Sequence, residues 1–205
     1  MSAAAPQTAV GPAVAMIDVG VIPAGLKALD ALLKEAEVEV VAAGTVQSGR
    51  YLILFGGDVE PVERAFLKAR QAAGRAVRDS VLLPYAEERI VPALYDGVVR
   101  QPAAGDTAGV IQTASPPTLL AAVDAALKGA WVELVELRAS DGLGGTAVAT
   151  LWGETHDVEA AIELAELAIS RGGAEWSSAE VIRNADPGVA GSLSPTSRFF
   201  KEWRG

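Results

Sequence analysis

The chain has 205 residues, half of them apolar, and a formal net charge of −9 from 17 basic and 26 acidic side chains. It contains no cysteine and one histidine, which excludes disulfides, thiolate metal sites and cysteine nucleophiles and leaves little room for zinc chemistry. Because no basic cluster opposes the acidic balance, we expect no nucleic-acid partner, and no unbroken apolar run is long enough to predict a membrane span. These features predict a soluble cytoplasmic protein of one or two domains with a loose N-terminal tail over 1–12.

The first half of the chain alternates short apolar segments with amphipathic ones. In the segment 23–36, Leu26, Leu29 and Leu33 recur at helical spacing, with charged residues between them. In chain order we predict strands over 13–20, 38–41, 51–55 and 81–83, helices over 23–36, 59–73 and 86–94, and a linker over 100–107.

A small polar loop, 45–49, leads into the most apolar of these strands. Gly56 and Gly57 end that strand, and Asp58 is positioned to cap the following helix. The loop combines hydroxyls, an amide and a glycine, none of which is suited to bond-making chemistry by itself. We therefore interpret it as the lining of a site and not as a reaction centre.

After the linker the same order of segments returns. Lys34 and Lys128 are equivalent at a separation of 94 positions, whereas Gly57 and Gly153 are equivalent at 96. The second copy therefore has two extra residues in the loop before its third strand, over 138–145, and that loop is rich in glycine. We predict a first domain over 13–100 and a second over 108–186, each a β-α-β-β-α-β unit, followed by a C-terminal extension over 187–205.

Four motifs of the first copy, taken in their order, allow comparison with known families: MIDVG, the LDALLKEA helix, QSGRYLILFGGDVEPVERA and VLLPYAEE. This order resembles the bacterial microcompartment shell-protein domain, present here as two fused copies in unpermuted order over 13–94 and 109–184. The resemblance implies an α+β fold of two tandem ferredoxin-like domains, each with a four-stranded antiparallel sheet flanked by helices. It also implies a homotrimer, alone or stacked as a pair, that imitates a hexagonal tile in the shell of a microcompartment in the cytoplasm.

The resemblance further implies a central pore for small polar metabolites, lined by the loop between the second and third strands of each domain. Family members that hold an iron–sulfur cluster at this pore use cysteine there, so this pore is expected to be free of cofactor and metal. The second copy departs from the family pattern at this loop, and it has WGE where the first copy has GGD. The residues assigned to the pore are Gln47, Ser48, Gly49 and Arg50 in the first copy and Ser140, Asp141, Gly142, Leu143, Gly144 and Gly145 in the second.

Two expectations concern the charge and mobility of these loops. Arg50 either adds positive potential to the pore or forms a surface ion pair. The longer glycine-rich loop either is a flexible turn or rearranges to set the opening, because glycine permits backbone conformations closed to other residues. Asp141 would then place carboxylates near the axis.

Enzymatic interpretations of these loops are weak, and we predict that the chain is not an enzyme. Ser48 lacks a G-x-S-x-G context and would need His156 as its base. The glycines at 142–145 resemble a dinucleotide fingerprint, but such a loop must follow a strand and open a helix, whereas this one precedes a strand. His156 is expected to be exposed to solvent.

Lys34 and Lys128 each follow an aspartate by four residues, which is the spacing of an intrahelical ion pair. In the family, a lysine at this position lies at the tile edge and packs against a neighbouring shell protein, so we predict an edge role for both. The segment 186–205 contains Phe199, Phe200 and Trp203, which should dock on the same subunit, on a stacked trimer or on cargo.

The sequence thus predicts a structural shell protein with a pore. The alternative is a trimeric regulatory protein that binds a small molecule at its subunit interfaces, which would remain a discrete oligomer instead of forming sheets.

Overall fold

The computed structural model describes residues 10–96, 105–140 and 142–191. The first domain runs strand, helix, strand, strand, helix, strand, and a short helix follows. Its elements are β1 (Ala13–Val19), α1 (Ile22–Glu35), β2 (Glu39–Val46), β3 (Arg50–Gly57), α2 (Val59–Ala73), β4 (Val77–Leu83) and α3 (Ile90–Asp96).

The second domain repeats this order, including the short helix after its last strand. The repetition confirms the two-copy α+β architecture predicted from the sequence. Its elements are β5 (Thr107–Thr113), α4 (Pro116–Gly129), β6 (Glu133–Ala139), β7 (Ala147–Gly153), α5 (Thr155–Gly172), β8 (Ser177–Ile182) and α6 (Pro187–Gly191).

Each domain has a four-stranded antiparallel sheet, in the orders β2-β3-β1-β4 and β6-β7-β5-β8. The register shifts between Val40 and Ala42 in the first sheet and between the equivalent Leu134 and Glu136 in the second. This irregularity is therefore repeated, whereas the β1–β4 pairing has a further shift between Asp18 and Val19 that the β5–β8 pairing lacks.

Several predicted boundaries need correction. Strands β2 and β4 are longer than predicted, and the predicted helix over 86–94 begins only at Ile90. Arg138 belongs to β6 and not to the loop. Asp58 occupies the N-cap position of α2, but its side chain makes no capping hydrogen bond to the described residues.

Helix α4 lies between the two sheets and determines how the domains join. One face of the first sheet, including Ile17, packs with α1 and α2. The opposite face, including Met16 and Leu54, belongs to one apolar cluster with α4 and the core of the second domain. The first sheet is therefore covered on both faces within one chain.

Candidate functional site

The loop between β2 and β3 is a single turn of 3-10 helix, Gln47–Gly49. Ser48 and Gly49 have φ angles of 66° and 72° in the left-handed region, which reverses the chain tightly. All three residues of the turn are exposed in the single chain. The turn therefore presents an amide, a hydroxyl and a glycine to solvent, as its composition predicted.

Between equivalent positions the connection from β6 to β7 is two residues longer than the one from β2 to β3, as the repeat offset predicted. It spans 140–146, because β6 and β7 are each one residue shorter at this end. Ser140 (φ 67°) begins it and is buried, and its amide donates to the Thr146 carbonyl oxygen at 3.1 Å. The Thr146 amide in turn donates to the Leu143 carbonyl oxygen at 3.1 Å. Asp141 lies outside the described residues, so its predicted place near an axis stays a prediction.

The two loops meet within one chain. The Gln47 Oε1 atom accepts a hydrogen bond from the Gly144 amide at 2.7 Å, and Ser48 Oγ donates to the Gly144 carbonyl oxygen at 3.1 Å. Arg50 Nη2 donates to the Gly145 carbonyl oxygen. Sequence offsets predicted that these loops are equivalent, but they did not predict this direct contact.

Arg50 is paired with Asp18, which sequence reasoning did not select. Arg50 Nη1 lies 2.6 Å from Asp18 Oδ2, and the two side chains are 6% and 0% exposed. Arg50 therefore forms an ion pair, but a buried one and not a surface one. A single carboxylate in the apolar strand AVAMIDV was the available sequence signal for this pair.

Burial is the main influence on the pKa of Asp18. Desolvation raises the pKa of Asp18 from 3.8 to about 6, although the Arg50 and Arg78 cations lower it. The neighbouring Asp79 carboxylate adds to the rise.

The predicted pore residues divide by exposure. Gln47, Ser48 and Gly49, with Gly142 and Gly144 of the second loop, are exposed, and Leu143 is half-buried. In contrast, Arg50, Ser140 and Gly145 are buried in the single chain and support the loops from behind.

The geometry does not assemble a Ser48–His156 pair. Ser48 Oγ donates to a carbonyl oxygen of the second loop, whereas His156 is 83% exposed beside Asp157 in the first turn of α5. The seven residues of β7 separate that turn from the loop, a distance of about 20 Å along the strand.

The lysines of α1 and α4 both form the predicted intrahelical pairs. Lys34 Nζ lies 2.7 Å from Asp30 Oδ2, and Lys128 Nζ lies 2.7 Å from Asp124 Oδ2. Lys128 Nζ also donates to the Tyr85 carbonyl oxygen of the first domain. The second lysine is thus held by the neighbouring domain, while the described residues offer Lys34 only its own helix.

Two further contacts between the domains escaped sequence reasoning. Asp79 on β4 caps α4, because its Oδ2 atom accepts from the hydroxyls of Ser115 and Thr118 and from the Thr118 amide at 3.0 Å. Arg89 donates to the carbonyl oxygens of Val132 and Leu127 at 2.9 and 3.3 Å. Both contacts depend on how the two domains pack, which local sequence patterns do not predict.

Within the described ranges no group of three or more histidines or acids is placed to hold a metal ion. Over the same ranges, the helices are too short or too polar to cross a membrane. The aromatic residues at 199–203 lie outside the described residues, so their docking stays a prediction.

A family model described as the BMC domain matches residues 13–85 and again 107–185. The chain is 30% identical over 155 residues to the bacterial microcompartment shell protein PduT of Citrobacter freundii, covering 75% of this chain and 82% of that protein. A solved microcompartment protein from Desulfitobacterium hafniense DCB matches with a TM-score of 0.71 at 28% identity, covering 86% of this chain and 97% of its own. A fused permuted hexameric shell protein from the RMM microcompartment matches with a TM-score of 0.58 over 78% of this chain and 84% of its own, and at 22% identity that likeness concerns the fold.

Proposed function

The chain belongs to the BMC-domain family of bacterial microcompartment shell proteins, and we propose that three copies close into a pseudohexagonal tile with a central pore. Its place is the microcompartment shell in the cytoplasm, and the family is a structural one. The tile requires no bond chemistry. It works by closing a surface and by leaving one small polar opening in it.

The observation that carries this proposal is the contrast between α1 and α4. Leu26 and Leu33 of α1 are 52% and 53% exposed, whereas the equivalent Leu120 and Leu127 of α4 are 0% and 5% exposed. The α4 leucines are buried in the apolar cluster that α4 shares with the sheet and with α3 of the first domain. An apolar stripe of the same design on α1 lacks a cover within the described chain, which favours a cover from another copy.

The surface suited to cover α1 is the face of the second sheet opposite α4 and α5, part of which is covered by Ala185 and Val189. Met16 and Leu52 on the first sheet, which pack in the α4 cluster, are equivalent to Val110 and Val148 on the second. Both valines are only half-buried in the single chain. If each second domain receives α1 of the next copy, every domain makes the same contact and the ring closes after three chains.

A closed ring of this kind would bring six loops to the central axis of the tile. The exposed groups of the loops are an amide, a hydroxyl and glycine backbones, which suit the passage of small polar metabolites. Because Arg50 is buried against Asp18, the positive potential considered for the first loop is largely neutralised. Selection would then rest on size and hydrogen bonding more than on charge.

The test is the mass of the protein in solution, with variants that place charge on the α1 stripe. Leu26→Glu with Leu33→Glu should leave the domains folded and give monomers, while the parent has the mass of a trimer or a pair of trimers. Leu67→Glu is the matched control, because Leu67 on α2 is 56% exposed and its equivalent is Glu163. A parent that is only a monomer or a dimer, or a double variant that still forms trimers, would overturn the proposal.

A further inference from the structure

A buried guanidinium joins the two candidate pore loops at their base. Arg50 stands at the end of the first loop, is held by Asp18 of β1, and donates to the Gly145 carbonyl oxygen of the second loop. We propose that Asp18 and Arg50 form a clasp that holds the 142–145 loop against the 47–49 loop, and that release of the clasp frees the longer loop to change the opening. The second part rests on the proposed pore.

The identity of Gly145 fits this role. Its φ angle is +92°, and a Cβ atom at this position would overlap the Arg50 guanidinium. Gly144 has a similar backbone angle, +63°, but a Cβ atom there would have no neighbour within 4 Å. Substitution of either glycine would strain the backbone, but only a side chain at position 145 would also collide with Arg50.

Strand pairing by itself does not require the charges of the clasp. In the second domain the equivalent positions hold Gln112 and Thr146, joined by a neutral hydrogen bond of 3.2 Å between Gln112 Nε2 and Thr146 Oγ1. The same strand register therefore forms with a neutral pair. What the ion pair adds in the first domain is a donor that reaches the second loop.

The clasp is also incompletely satisfied, which makes it suited to release. Among the described residues, the buried Asp18 Oδ1 and Arg50 Nε atoms have no hydrogen-bond partner. A buried guanidinium keeps its position only while its counter-charge remains, since an unpaired charge is better solvated outside.

Protonation of Asp18 is the physical means of release. The charged groups that face Asp18 are Arg50 on β3 and Arg78 and Asp79 on β4. Arg78 also pairs with Glu175 at 3.2 Å, and Asp79 is bonded to the start of α4. Because burial raises the pKa of Asp18 to about 6, a fall in pH through that value neutralises the carboxylate and leaves Arg50 without its counter-charge.

Hydrogen exchange of the peptide covering 140–147 in the full chain tests this directly, with rates expressed relative to intrinsic exchange at each pH. Gly145→Ala should raise exchange of this peptide about tenfold over Gly144→Ala, because it also removes a charge-assisted hydrogen bond. In the parent, protection should fall between about pH 7.5 and about pH 5 with a midpoint near the pKa of Asp18. In Asp18→Gln with Arg50→Thr, which copies the neutral pair, the profile should be flat.

Equal exchange in the two glycine variants, or a flat profile in the parent, would overturn the clasp. If Arg50 has a purely structural role, its substitution should lower overall stability, and the protection of the 140–147 peptide should show no midpoint near the pKa of Asp18. Because the clasp lies within one chain, hydrogen exchange can test it whether or not three chains assemble. If mass measurements show no trimer, the proposed tile is overturned, but the hydrogen-exchange result can still be interpreted.

Discussion

Helices α1 and α4 have the same place in their domains and opposite surroundings. Three of the fourteen residues of α1 are buried, against nine of the fourteen in α4, although both helices carry leucines at equivalent positions. The difference arises outside the helices, because α4 has a second sheet against it. A fused repeat can therefore display, inside one chain, the kind of contact that we propose for its exposed copy.

A second contrast between the domains concerns the same pair of strand positions. The first domain fills them with Asp18 and Arg50, and the second with Gln112 and Thr146. The charged pair is buried and reaches the other domain, whereas the neutral pair serves only its own sheet and loop. Exchanging one pair for the other is therefore the strongest way to test what the charges contribute.

Removal of one charge of this pair should have the largest effect on stability. Arg50→Thr leaves the buried Asp18 carboxylate without its counter-charge and should lower the free energy of unfolding by about 3–5 kcal/mol. The double variant with Asp18→Gln should recover most of this loss, because it reproduces the pair found in the second domain. Denaturant unfolding of the parent, the two single variants and the double variant measures the coupling.

The pH dependence of the same comparison has a fixed sign. Since the pKa of Asp18 is raised in the folded state, the folded chain binds the extra proton, and the contribution of Asp18 to stability declines as pH rises from about 4 to about 6. The stability of the double variant relative to the parent should therefore grow over that interval. A constant difference across it would contradict the assignment of the raised pKa to Asp18.

The capping of the helices offers a smaller contrast. Asp79 caps α4 from the first domain, whereas the start of α1 has no side-chain cap among the described residues. Asp79→Ala should destabilise the chain by about 1–2 kcal/mol, the usual cost of a lost cap. Ser178→Ala, at the equivalent position on β8, is the control, and we expect a change of no more than about 0.5 kcal/mol for this exposed residue. Equal effects would mean that the cap contributes little to domain packing.

Much of the fold could be predicted from the sequence because the repeat made each domain a check on the other. The separations of 94 and 96 positions located the two extra loop residues, and the strand registers confirm them. The Asp18–Arg50 pair could not be predicted in this way, since it depends on the register of β1 against β3 and on burial by a second domain. For the same reason, nothing in the leucine pattern of α1 and α4 distinguished the exposed helix from the buried one.

The smallest expected effect on stability concerns Lys34 and Lys128, whose reversal is expected to act on the growth of sheets. The pair of Lys34 is exposed, so its reversal should cost only a few tenths of a kcal/mol. Reversal of Lys128 should cost more, because the Asp124 side chain of its pair is 11% exposed and Lys128 also donates to the Tyr85 carbonyl oxygen. If both lysines lie at tile edges, Lys34→Glu with Lys128→Glu should leave the mass of the trimer unchanged and stop the growth of sheets seen by electron microscopy. Lys27→Glu, an equal reversal at another exposed position of α1, should leave the sheets intact. Normal sheets from the double variant would assign both lysines to their helices alone.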